Sequence, residues 1–206
     1  MNDSLLPASA STDTAPPDDR VANPGSGAQG DAGVSRVADE TSMPDAVPSL
    51  RFLLGHPAHF LALGFGSGLP RIAPGTWGTL FAWASYIVVA RYLGDRIWFL
   101  IAATLVLGTW AAHVTGRHLG DADSGHIVID EIVAFWIVLA MLPTSGGTQL
   151  WAFLLFRLFD ITKPPPIRGL DARMKSGVGV MLDDLVAAFY ALLVLALALR
   201  IVEGLS

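Results

Sequence analysis

VGVMLDDLVAAFYALLVLALALRIVE, residues 178–203, reads as a helix long enough to cross a lipid bilayer, yet two adjacent acids, Asp183 and Asp184, stand near its start. HIVIDEIVAFW, residues 126–136, repeats the arrangement with Asp130 and Glu131. In both stretches the acids are followed by an apolar residue and Val-Ala, with an aromatic pair directly after in the one and one alanine further on in the other. An acid at the centre of a membrane helix costs ~2.5–3.5 kcal/mol on the insertion scale, and such acids are by default functional. A chain that places two such pairs in apolar helices has a use for them.

Five apolar stretches of helical length follow one another at about 77–92, 96–115, 127–142, 148–162 and 179–203. Gly/Pro-rich connectors part several of them: GFGSGLPRIAPG at 64–75, PTSGG at 143–147 and KPPPIRGLDARMKSGVG at 163–179. Pro143 and the Pro164-Pro165-Pro166 run stop the helices before them, because proline lacks an amide donor and disfavours a helical residue ahead of it. Thr76 is suited to cap the first helix. The expected fold is all-α: a compact bundle of about five helices, embedded in a membrane rather than soluble. Only 96–115 and 179–203 approach the ~20 apolar residues of a spanning helix.

Residues 1–50 are of another kind. They hold almost no large apolar side chains and are rich in Ala, Ser, Asp, Gly and Pro, a composition that cannot repay the entropy of ordering. They read as a disordered acidic tail, without the basic start and apolar centre of a secretory signal. The helical domain is expected over 51–206. The tail has eight acids and two arginines, net −6, and the rest of the chain has eleven Lys/Arg against ten Asp/Glu. No basic surplus supports nucleic-acid binding. The absence of cysteine excludes disulfides, thiolate metal sites and a cysteine nucleophile.

If all five helices cross, the connectors alternate sides. One side then holds Arg51, Arg71, Arg117, Lys163, Arg168, Arg173 and Lys175, and the other only Arg91, Arg96 and Arg200. This bias makes the first side cytoplasmic. It also puts Asp130-Glu131, Asp160 and Asp183-Asp184 at that one mouth of the bundle.

So many acids together repel unless something positive sits among them. An all-oxygen ligand set suits Mg²⁺, which takes one or two carboxylates, waters and phosphate oxygens. The structural alternative is that the acids cap helix starts or pair with Arg157, Lys163 and Arg168. Arg157–Asp160 and Asp160–Lys163 are each spaced i,i+3 and can meet on one helix face. Lys163 and Arg168 flank the proline run, where cations would hold a phosphate. In GFGSGLPRIAPGTWGTL, Gly66, Ser67, Gly68, Gly75 and Thr76 can offer backbone amides to an anion. Asp121-Ala-Asp123 reads as a polar connector with Asp123 as a supporting group. His113 and His118 do not share a helix face, and His126 is a peripheral acid/base candidate.

GFGSG and PGTWG at 64–78, GHIVIDE at 125–131, FRLFDITKPPPIR at 156–168 and SGVGVMLDDLVA at 176–187 together resemble the phosphatidylglycerophosphatase A family. The resemblance runs across most of 64–187 and leaves the acidic tail outside. It implies a Mg²⁺-dependent phosphomonoesterase of the bacterial inner membrane that releases phosphate from phosphatidylglycerol phosphate at the cytoplasmic face. Asp130, Glu131, Asp183 and Asp184 would then hold the metal in some combination. Asp160 would orient or deprotonate the attacking water, or add a ligand, and Lys163 and Arg168 would stabilise phosphoryl charge, with direct attack by an aspartate as a variant. A transporter would place its acids near the bilayer midplane, with charge on both sides. A structural membrane subunit would need no metal.

Overall fold

In the computed structural model, residues 47–143, 145–165 and 177–205 are described, and every regular element among them is helical. Residues 1–46, which hold nearly all of the expected tail, and 166–176, which include Arg168, lie outside the described residues. Two short helices come first, α1 (Leu50–Gly55) and α2 (Pro57–Ala62), followed by α3 (Pro74–Leu93), α4 (Ile97–Leu119), α5 (Ile129–Ala140), α6 (Gly146–Thr162) and α7 (Gly177–Leu205).

Local chemistry sets the ends. Ser49 caps α1 by accepting from the Phe52 amide, and His56 caps α2, whose first residue is Pro57. Proline suits that position because its missing donor would have had no partner there. The same preference moves the start of α3 from the expected Thr76 cap to Pro74, behind Ala73 in a left-handed conformation at φ 49°. Thr76 therefore lies in the first turn, its amide bonded to the Ala73 carbonyl. Ser145 caps α6, and α6 ends at Lys163 with φ 40°, directly before the prolines.

The core is built around α5. Ten of its twelve residues are buried, among them Phe135 and the Asp130-Glu131 pair, because α3, α4, α6 and α7 all pack against it. Its buried indole is satisfied: Trp136 Nε1 donates to the Ala82 carbonyl of α3 at 2.9 Å. Small residues let the helices close in, with Ala134 on α5 and Ala187, Ala188 and Ala191 on α7 all buried. At 1.5 Å per residue α5 is only ~18 Å long, too short to cross a ~30 Å hydrocarbon core unaided. Two stretches, Pro74–Leu119 and Gly177–Val202, are long and apolar enough to cross.

Outside the core the usual pattern of a soluble bundle is reversed. Tyr92, Phe99, Val106, Trp151, Ile161, Leu197 and Val202 are each more than 60% exposed, and they are distributed over α3, α4, α6 and α7. A face apolar all round belongs in lipid, and the chain is accordingly membrane-associated.

The helices alternate in direction as expected. The starts of α3, α5 and α7 meet the end of α6 and the loop after α4 at one end of the bundle. There α2 is clamped to α4: His59 Nδ1 lies 2.9 Å from the Phe52 carbonyl, and its Nε2 lies 2.7 Å from His118 Nδ1. The short helices α1 and α2 carry too few turns to show an apolar period, and the sequence reading placed no helix there.

Candidate active site

At that end a cavity of about 310 Å³ opens, lined by Asp130 and Glu131 of α5, Asp160 of α6, Asp183 and Asp184 of α7, with Asp123 and Lys163 at its edge. Carboxylate oxygens of Glu131, Asp160 and Asp184, one residue from each of three helices, lie within 4.8 Å of one another. Each acid pair is thus split between two tasks, as the ~100° turn between neighbouring helix residues requires. Glu131 and Asp184 join the cluster with Asp160, while Asp130 and Asp183 border the same cavity from other directions.

The cations are arranged around this cluster. Arg157 reaches across from α6, and its Nη1 donates to Glu131 Oε1 at 2.8 Å and to Asp160 Oδ2 at 2.7 Å. Thr79 Oγ1 stands 3.4 Å from the same nitrogen and donates to the Gly75 carbonyl. The sequence spacing foresaw the Arg157–Asp160 pair but not Glu131 or Thr79, which lie far away in the chain. Lys163 Nζ is 3.2 Å from Asp183 Oδ2. Its backbone is held left-handed, a conformation that costs a non-glycine residue ~1–2 kcal/mol and here turns the side chain to the cavity edge.

The residues present fit a hard divalent cation. Glu131 Oε2 and Asp184 Oδ2 are buried without a hydrogen-bond partner. Asp184 and Asp160 belong to one group of carboxylate oxygens within 4.8 Å of one another, where bare carboxylates repel. Metal–oxygen bonds of ~2.05 Å put octahedral ligands ~2.9–4.1 Å apart, so a cluster within 4.8 Å needs little closing. No histidine borders the cavity among the described residues, and the chain has no cysteine, which disfavours zinc.

The glycine segment is placed differently from the expectation. None of Gly66, Ser67, Gly68, Gly75 and Thr76 borders the cavity. The Gly66 and Gly68 amides donate to the Leu63 carbonyl and the Ser67 amide to that of Gly64, so the turn satisfies itself and leaves these three amides bonded. What the glycines provide is close approach. A Cβ at Gly68 would strike the His126 carbonyl, one at Gly75 the Glu131 carboxylate, and one at Gly78 the Val128 side chain. His126 Nδ1 bonds the Gly68 carbonyl at 2.6 Å and so ties the loop to the start of α5.

A sequence model of the family described as Phosphatidylglycerophosphatase A matches residues 60–199. The chain is similar to a phosphatidylglycerophosphatase A of Haemophilus influenzae, 43% identical over 154 residues that cover 74% of this chain and 94% of that protein. It is similar to the Escherichia coli protein of the same name, 38% identical over 143 residues, 68% of this chain and 83% of the other. A Bacteroides thetaiotaomicron protein named putative phosphatidylinositol-3-phosphatase is 38% identical over 148 residues, 67% of this chain and 91% of its own length. No solved structure matches.

Proposed function

The chain belongs to the phosphatidylglycerophosphatase A family, and on that premise we propose that it hydrolyses phosphatidylglycerol phosphate to phosphatidylglycerol and inorganic phosphate. The observation that carries the reading is the convergence of Glu131, Asp160 and Asp184 from three helices, beside Arg157 and Lys163, at one polar mouth of an otherwise apolar bundle. A lipid substrate needs such a place: acyl chains in the bilayer, head group at the mouth. The arginine and lysine bias argues that this mouth faces the cytoplasm, in the inner membrane of a bacterium.

Glu131, Asp160 and Asp184 would hold Mg²⁺. Bound there, the ion would supply positive charge to the phosphate oxygens and make a bound water more acidic. The chain's own residues do the remaining work. Arg157 fixes Glu131 and Asp160 from behind, so that two of the three ligands are oriented before substrate arrives. Lys163 Nζ, on the cavity edge, exchanges its Asp183 partner for a phosphate oxygen and stabilises the charge that builds there. Asp160, with Oδ2 held by Arg157, has a second oxygen for a ligand bond or for the proton of the attacking water. As that water bonds to phosphorus, the bond from phosphorus to the glycerol oxygen breaks, and solvent at the open mouth supplies the proton the leaving oxygen takes up. Arg168, outside the described residues, is a candidate second cation for the phosphate.

The test is phosphate release from phosphatidylglycerol phosphate in mixed micelles with Mg²⁺, with EDTA, and with Mg²⁺ restored. Activity lost and regained supports the reading; a folded protein that releases nothing in any condition ends it. Because one relative is named for a phosphoinositide, phosphatidylinositol 3-phosphate belongs in the same assay. Preference for that lipid would keep the chemistry and replace the substrate.

A further inference from the structure

The three-carboxylate cluster leaves Asp130 over. It is 5% exposed, it borders the cavity, and its Oδ1 has no hydrogen-bond partner. The charged side chains that interact with it are all acids: Asp160, Asp123, Glu131 and Asp184. Arg157 is turned to Glu131 and Asp160 instead. A buried carboxylate among other acids is held at a cost that a cation at that point would remove.

Charge leads to the same place. The described residues around the cavity bring six carboxylates (Asp123, Asp130, Glu131, Asp160, Asp183 and Asp184) against Lys163 and the adjoining Arg157, a formal charge of −4. The phosphomonoester adds about −1.5 to −2 of its own near neutral pH. One divalent cation would leave the cavity with the same sign as its substrate; two bring it to neutrality. The second ion needs no second triad, since Mg²⁺ is satisfied by one or two carboxylates with water and phosphate oxygens completing its shell. A cavity of about 310 Å³ has room for both ions, their waters and a phosphate, a water's share of liquid volume being ~30 Å³.

From these observations we infer that the cavity binds two divalent cations, the second held by Asp130 together with Asp123 or Asp160. The inference rests on the metal reading of the Glu131–Asp160–Asp184 cluster and adds a site to it. Two ions in one cavity are the arrangement that stabilises both the attacking and the leaving oxygen of a phosphate ester.

Mn²⁺ counts the sites without reference to turnover. Full-length protein in detergent, stripped with EDTA, is titrated with Mn²⁺, and free ion is followed by electron paramagnetic resonance. Two ions per chain are expected, with the broadened signal of neighbouring, exchange-coupled ions at full loading. Asp130→Asn is expected to bind one and to lose the coupled signal. One ion per chain in the unaltered protein, or two in Asp130→Asn, overturns the inference and leaves the three-carboxylate site standing. No bound ion overturns both. The count on the unaltered protein decides the matter even if the variant fails to fold.

Discussion

Replacing Arg157 with methionine keeps much of the packed stem and removes the charge that separates Glu131 from Asp160. Those two carboxylates then sit within 4.8 Å of one another with no cation between them. At an effective dielectric of ~20 their repulsion is about 3.5 kcal/mol, and breaking a buried ion pair on one side typically costs about 3–5 kcal/mol. Both routes give a loss that lowers the melting temperature of a domain this size by roughly 10 °C. A divalent cation at the cluster replaces the missing charge, so Mg²⁺ should restore more stability to Arg157→Met than it adds to the unaltered protein. Thermal unfolding in detergent, with EDTA and with saturating Mg²⁺, reads both numbers. Arg157→Lys, which keeps charge but not the planar fork, should fall between. If Arg157→Met melts with the parent in EDTA, or gains no more from Mg²⁺, then Arg157 does not hold these acids and the metal does not sit between them.

Gly75→Ala puts a Cβ onto the Glu131 carboxylate and beside Arg157 Nη2, an overpacking that should cost about 1–3 kcal/mol and lower activity; Gly147→Ala, which meets nothing within 4 Å, should do neither in the same melt and assay. Lys163→Gly relieves a left-handed backbone and loses Nζ, so its stability should stay near the parent's while kcat/KM for phosphate release falls ~10–100-fold, the worth of a charge-assisted hydrogen bond. Full activity in that variant would remove Lys163 from the phosphate site. Burial holds His59 below its ordinary value of 6.5, opposed by its bond to the Phe52 carbonyl and reinforced by His118 and His56. Below 6.5 the unfolded chain takes up a proton the folded chain resists, so this stability contribution is complete above 6.5 and is lost as pH falls toward the lowered value. His59→Asn should flatten the pH dependence of melting over that window.

Much of this was legible because it depends on near neighbours in the chain. Apolar length and proline placement located α3 to α7 to within a few residues, and the alternation of connectors already brought Asp130, Glu131, Asp160, Asp183 and Asp184 to one end. What the sequence could not divide was each acid pair, since which member turns inward depends on the rotation of α5 and α7 against their neighbours. Arg157 was visible as a helix-end partner of Asp160; that it also holds Glu131 follows from the packing of α6 beside α5. At Gly66, Ser67 and Gly68 spacing alone does not distinguish a turn that offers its amides from one that bonds them internally, as this turn does. At Gly68, Gly75 and Gly78 the need for glycine arises from residues 126–131, some fifty positions on.

The burial of α5 on nearly every side has a consequence for how the protein is made. A helix of twelve residues with Asp130 and Glu131 in its first turn has little to keep it in lipid by itself when it leaves the ribosome. Two spanning-length stretches lie before and after it in the chain, and their surfaces form the slot it occupies. Biogenesis is therefore cooperative: the segment that carries Asp130 and Glu131 is retained only as its neighbours arrive, and α7 follows it in the chain. A chain interrupted before α7 would leave α5 without one wall and the carboxylates without Asp184. Incomplete products would then lack both a stable seat in the membrane and a working centre, so synthesis that stops early yields no misdirected phosphatase.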